Sequence, residues 1–115
     1  LLFPNLIKGD IELYGNINLN QVNLNSFQEG NINITGSPLS TISLPSLVRC
    51  ESLNLEGSSL SSSTVNSLLN QFLNILPSSG KYLGLAGQTP SAPPTGQGLI
   101  DKQTLIDNGN NVSTD

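Results

Sequence analysis

The stretch "LNLEG", residues 53–57, sets a phrase that the chain repeats. Ile11-Glu12-Leu13-Tyr14-Gly15, Ile32-Asn33-Ile34-Thr35-Gly36 and Leu83-Gly84-Leu85-Ala86-Gly87 share its form: aliphatic, any residue, aliphatic, any residue, glycine. The glycines stand 21, 21 and 30 positions apart (15 to 36, 36 to 57, 57 to 87), and self-similarity at such intervals is the mark of stacked repeats. Alternation over five residues predicts a strand with both aliphatics on one side. The glycine lets the backbone turn directly afterwards. Asn16, Ser37, Ser58 or Gln88 follows it, and a polar side chain there can bond the backbone of the turn.

Working outward, Leu6, Phe27 and Val48 stand nine residues before the first three glycines, and the pairs Phe3/Leu6, Leu24/Phe27 and Leu44/Leu47 recur with them. Leu39 and Leu60 follow their glycines at a matching offset. A unit of 21 residues leaves no room for a full helix on the return path, which must be extended or a short tight turn. The expected architecture is a parallel-strand solenoid of α/β class.

The longer third interval has its own explanation. In VNSLLNQFLNIL, residues 65–76, the apolar residues Val65, Leu68, Leu69, Phe72, Ile75 and Leu76 fall on one helical face. Ser61, Ser62, Ser63 and Thr64 supply an N-cap, and Pro77 with Gly80 stops the helix. A solenoid exposes its core at each end unless a thicker unit covers it, so this helix predicts the start of a C-terminal cap. A Pro- and Gly-rich loop, residues 88–98, comes next. Leu99, Ile100, Leu105 and Ile106 mark a second short helix that Gly109 ends in a left-handed turn, and residues 111–114 predict a last strand. The expected division is one domain, 1–115, with repeats at about 1–20, 21–42 and 43–61 and a capping unit at 62–115.

Composition narrows the function classes. Three Phe, two Tyr and no Trp leave Leu and Ile to build the core, which suits regular layers better than an aromatic-rich enzyme interior. With charged residues at 10% and a net charge of -4, no basic stripe exists to neutralise phosphates, and nucleic-acid binding is not expected. No apolar run approaches the ~20 residues of a membrane span, so membrane insertion is not expected. The start at Leu1-Leu2-Phe3 predicts an excised or processed piece of a longer protein, with an open hydrophobic end. The single cysteine, Cys50, permits no internal disulfide and reads as a small buried residue.

Cys50-x-x-Leu53-x-Leu55-x-x-Ser58-x-Leu60 resembles the leucine-rich-repeat signature L-x-x-L-x-L-x-x-N-x-L, with Cys and Ser in place of the first Leu and the Asn. The units at 29–39 and around Asn16 depart further, with Glu29 and Lys8 at their first apolar positions. From about Leu53 onward the chain is similar to an end module of leucine-rich-repeat proteins in tailed bacteriophages and some bacterial surface proteins. That similarity is carried by the Ser-rich cap into Val65-Asn66, by Gly84-Leu85-Ala86-Gly87-Gln88-Thr89-Pro90, by Ala92-Pro93-Pro94-Thr95-Gly96-Gln97-Gly98 and by Asp101-Lys102-Gln103-Thr104-Leu105. An aromatic often follows the last helix's glycine in that family, where Asn110 stands here, so a contact is expected to be missing from the cap. The resemblance implies a short leucine-rich-repeat-like right-handed coil with a parallel sheet and a helical C-terminal cap, in a virion or cell-surface setting.

With the aliphatics turned inward, the outward residues form three columns: Asp10, Asn31, Ser52 and Tyr82; Glu12, Asn33, Asn54 and Gly84; Tyr14, Thr35, Glu56 and Ala86. Solenoids commonly bind partners on this face, and Tyr14 and Tyr82 among amides and hydroxyls suit a sugar. Glu12 and Glu56 lie two strand steps apart, roughly 10 Å before any sideways offset, beyond the ~5–9.5 Å of glycosidase carboxylate pairs. There is no His anywhere, which excludes Ser-His and Cys-His nucleophilic machinery. The glycines lack nucleotide-loop spacing and no D-x-D-x-D-G loop offers a calcium site. The Asn33-Ile34-Thr35 and Asn111-Val112-Ser113 triplets read as incidental in a chain rich in Asn and Ser.

The sequence therefore points to a non-enzymatic structural or interaction module without cofactors. Its partner is another virion or surface subunit, or a host glycan, and it has an option to self-associate through its N-terminal end. A carbohydrate-active enzyme fragment using Glu12, Glu56 or Asp10 and a ligand-free fibre spacer are the alternatives.

Overall fold

The computed structural model describes all 115 residues. Strands β1 (Ile11–Glu12), β3 (Ile32–Asn33), β5 (Ser52–Asn54), β6 (Tyr82–Gly84) and β7 (Asn111–Ser113) form a five-stranded parallel sheet in that order. Strands β2 (Gln21–Asn23) and β4 (Thr41–Ser43) pair in parallel as a second, two-stranded sheet. Helix α1 (Ser62–Phe72) joins β5 to β6, and α2 (Gln97–Asp107) joins β6 to β7. The result is a small α/β fold with a mainly parallel sheet and two helices.

The register follows the repeated phrase. Ile11 pairs with Ile32, Ile32 with Leu53, Leu53 with Leu83 and Leu83 with Val112. Each aliphatic thus stacks on its equivalent, and the second row, Ile34, Leu55 and Leu85, is fully buried behind it. Twenty-three apolar side chains join in one core, each fully buried Leu or Ile contributing about 1.5–3 kcal/mol. The regular strands are shorter than the five-residue phrase, yet the ladder continues to the glycine: Leu13 N donates to Asn33 O and Gly15 N to Thr35 O. Gly15, Gly36, Gly57 and Gly87 then turn at φ of 55, 69, 72 and 71°, a conformation that a side chain strains. The return paths of the first two units take the extended one of the two forms their length allowed, and they contain β2 and β4.

Ser61 caps α1, its Oγ accepting from Thr64 N at 3.1 Å. Val65, Leu68, Leu69 and Phe72 are buried as the helical spacing predicted. The helix ends at Phe72, however, and does not reach residue 76. Leu76 is drawn into a strand-like bridge instead, donating to Val48 O and accepting from Cys50 N, both at 2.9 Å. It is consequently about half exposed, while Ile75 stays buried.

The second helix forms where expected, but the residues that marked it do not bury it. Leu99, Ile100 and Ile106 are exposed, and of the four only Leu105 enters the core. α2 meets α1 through Gly98 and Asp101 instead. A Cβ at Gly98 would lie 2.0 Å from Asn66 Oδ1, so glycine permits the close approach, and Asp101 Oδ2 accepts from Asn70 Nδ2 at 3.2 Å. Gly109, at φ 91°, ends the helix.

Two polar details complete the interior. Asn110 is buried and makes hydrogen bonds at a place where a contact was expected to be missing: its Oδ1 accepts from Lys81 N, and its Nδ2 donates to Ser78 O and Leu105 O, each at 3.0 Å. After the turn glycines, Ser37, Ser58 and Gln88 are buried. Ser37 Oγ accepts from Asn16 N, and Gln88 accepts from Leu60 N while donating to Leu55 O and Leu85 O. Ser37 and Gln88 thereby satisfy turn amides and carbonyls that the core would otherwise strand, whereas Ser58 Oγ is buried without a partner.

Candidate functional site

The outward columns stand on the five-stranded sheet as the alternation requires. Asp10, Glu12 and Tyr14 are exposed at the β1 edge, while Asn31, Asn33, Thr35, Ser52, Asn54, Glu56 and Tyr82 are half-buried toward its middle. Register pairs Ser52 with Tyr82 and Asn54 with Gly84. It also extends the first two columns by one member each, which sequence reasoning missed, because Asn111 pairs with Tyr82 and Ser113 with Gly84. The last strand was expected, but only the pairing says that its outward residues extend the same face.

Side-chain oxygens stitch the first column together. Asp10 Oδ1 accepts from Asn31 N at 3.0 Å, and Asn31 Oδ1 accepts from Ser52 N at 3.1 Å. Between them and the next column lies a shallow cleft of about 170 Å³, bordered by Asp10, Glu12, Asn31, Asn33 and Ser52. Asn33 Oδ1 is buried beside it without a partner. No three His, Cys, Asp or Glu side chains gather to hold a metal ion.

The most organised part of the face is at β6. The Tyr82 hydroxyl donates to Glu56 Oε1 at 2.5 Å. To reach it, the side chain runs along the strand over Gly84: a Cβ there would fall 2.8 Å from both Tyr82 Cε2 and its hydroxyl oxygen. The same Cβ would meet Asn54 Oδ1 at 3.0 Å, and that oxygen accepts from Glu56 N at 3.0 Å. A phenol ring, a carboxamide and a carboxylate therefore converge above one glycine. The hydrogen bond to Glu56, followed by burial and the carboxylate's charge, holds the Tyr82 phenol above its ordinary range.

Tyr14 belongs to a different place. It stands 57% exposed at β1, three strand steps or roughly 14 Å from β6, so the two tyrosines do not form one platform. Partial desolvation and then the neighbouring Glu12 raise its phenol. Glu56 is engaged by Tyr82, and Glu12 lies on a strand two steps away from it.

Three groups with conspicuous chemistry are structural. Cys50 is buried, its Sγ donates to Ser52 O at 3.2 Å, and burial pushes the thiol up to about 11, which suppresses the nucleophilic thiolate. Lys81 is 2% exposed, with Nζ donating to Ile75 O at 2.6 Å and Pro77 O at 2.5 Å. Desolvation lowers its ammonium, an effect that Cys50 opposes. The Asp115 carboxylate accepts from Gly87 N at 2.6 Å, Gln88 N at 3.2 Å and Ala92 N at 2.9 Å, tying down the start of the Pro-rich loop. No helix is long and apolar enough to cross a membrane. No protein-family model, curated protein or solved structure matches the chain.

Proposed function

We propose that the chain is a non-enzymatic interaction module: the end of a leucine-rich-repeat-like solenoid, wound right-handed and closed by the helical segment from residue 62, that displays its polar strand face on a virion or cell surface to bind a glycan. The observation that carries this reading is the Tyr82 ring seated over Gly84 by its bond to Glu56. A ring fixed before binding loses little rotamer entropy when a ligand stacks on it. Carboxamides and hydroxyls at Asn54, Ser52, Asn111 and Ser113 surround it with donors and acceptors. Asp10, Glu12 and Glu56 make the face acidic, which favours a neutral or amine-bearing sugar over an anionic one. Use of Glu56 as an acceptor weighs against its service as a glycosidase acid or base.

Binding to an array of neutral and amino-sugar glycans tests the proposal. Tyr82→Ala should lose about tenfold or more in affinity, in keeping with the weight of aromatic anchors in interfaces, and Tyr14→Ala should bind as the parent does. Equal binding by Tyr82→Ala would end the tyrosine-platform reading, and an array without any binding would favour the fibre spacer. Reducing-sugar release from polysaccharides would favour the enzyme alternative. A second reading, packing of another subunit against the β1 side, is supported by exposed Leu2, Ile7 and Ile17. Sedimentation of Ile17→Ser against the parent decides it, since that packing requires the parent to be larger.

A further inference from the structure

We propose that the cleft between α1 and α2 is a second binding site, for a small polyhydroxylated ligand such as a monosaccharide or sugar-alcohol unit. It is independent of the strand face, because the apolar core supplied by Leu53, Leu83, Val65 and Leu69 lies between the two. The cleft measures about 370 Å³ and has no hydrophobic residue in its lining. Ligand pockets of that size are usually lined by hydrophobic and aromatic side chains with a few polar groups; here every lining side chain carries a polar group, Gly98 alone having no side chain, so a ligand that forms several hydrogen bonds is matched better than an apolar one.

The lining is also held in place. Asp101 is only 4% exposed, and its two oxygens accept one carboxamide from each side, Asn70 Nδ2 of α1 at 3.2 Å and Gln97 Nε2 of α2 at 3.0 Å. At the other wall Asn66 Nδ2 donates to Thr95 Oγ1 at 2.9 Å and Asn66 Oδ1 accepts from Thr95 N at 3.0 Å. These bonds leave capacity unused: the carbonyl oxygens of Asn70 and Gln97 and a second N–H on each carboxamide make no other bond within the chain. A carboxamide presents an acceptor and a donor side by side, and a hydroxyl group is both donor and acceptor. A ligand with adjacent hydroxyls can match several such groups at once, whereas a carboxylate or phosphate would face Asp101 with no cation in the lining to offset the repulsion. One carboxylate alone, with its oxygens already engaged, is a poor seat for a divalent ion.

The test is an amide-detected NMR titration of the full chain with glucose, N-acetylglucosamine and sorbitol, read at the side-chain amides of Asn66, Asn70 and Gln97. Saturable shifts at these signals, with a dissociation constant in about the millimolar range or tighter, are expected for at least one probe. Ser67→Leu, placed at an exposed helical position on the cleft wall, should fill the space and remove the shifts. Gln97→Ala, also exposed, should weaken binding about fivefold, the value of one hydrogen bond. Shifts that never saturate, or that persist unchanged in both variants, would overturn the site. Saturation confined to Asn54 and Tyr82 would overturn it too while supporting the strand face.

Discussion

The Tyr82 hydroxyl reaches Glu56 Oε1 at 2.5 Å across the β5–β6 boundary, and it can do so because position 84, beneath the ring, has no side chain. Gly84→Ala would place a Cβ 2.8 Å from the ring and its hydroxyl. The nearest obstacle is the far end of a side chain that can swing away, so stability should fall by about 1 kcal/mol or less, the cost of an unfavourable rotamer. The platform, however, should be lost: glycan binding is expected to drop as it does for Tyr82→Ala, while chemical denaturation stays close to the parent.

Glu56→Gln tests the same pair electrostatically. The carboxylate raises the Tyr82 phenol above 10.0, so the proton is held more tightly in the folded state than in the unfolded one. The resulting stability is fully present below the unfolded value and is lost as pH rises through the folded one. Phenolate absorbance should show Tyr82 ionising at lower pH in Glu56→Gln, with Tyr14 unmoved, and the variant's stability should decline less steeply in that alkaline window.

Gly30 and Gly9 stand 21 residues apart in equivalent places, and both have positive φ, 147 and 133°. A Cβ on Gly30 would lie 1.9 Å from Gly9 O and 2.8 Å from Phe27 Cζ, whereas one on Gly9 meets nothing. Both alanine variants carry backbone strain, but only Gly30→Ala must also push a neighbouring backbone away. It should be the more destabilising by about 1–3 kcal/mol, measured by denaturant unfolding.

Asp115 should make the Pro-rich loop sensitive to acid. Hydrogen bonds from Ala92, Gly87 and Gln88 amides hold its carboxyl below the ordinary 3.8, with burial opposing them. That stabilisation is present above the unfolded value and disappears as pH falls through the lower folded one. Hydrogen exchange at the amides of Gly87, Gln88 and Ala92 should therefore quicken in Asp115→Ala at neutral pH, while amides of α1 keep their protection.

Cys50 offers a check on the core. With its thiol buried and raised to about 11, alkylation at neutral pH should be slow in native protein and rapid in denaturant. Lys81→Met, which orphans the carbonyls of Ile75 and Pro77, should lower stability by about 1–3 kcal/mol and speed native-state labelling in proportion.

What the sequence by itself determined is the stacking. Alternating aliphatics followed by a glycine, at a 21-residue interval, leave a chain few ways to bury its Leu and Ile except strand upon strand in register, and the observed pairs Ile11–Ile32–Leu53–Leu83 follow that pattern. α1 was legible for the same reason, since four buried residues at helical spacing and a serine cap are local signals. The tertiary structure alone decided where local patterns compete with neighbours. Leu76 has the right spacing for α1, but Val48 and Cys50 offer its backbone a ladder. Leu99, Ile100 and Ile106 look like a buried stripe, but Gly98 and Asp101 allow the closer contact with α1. The outward columns were readable from period two, whereas the seat of Tyr82 on Gly84, its distance from Tyr14 and the polar cleft at Asp101 depend on side-chain direction and on groups brought together from different repeats. Periodicity fixes which residues turn inward; it carries no information about which outward side chains meet.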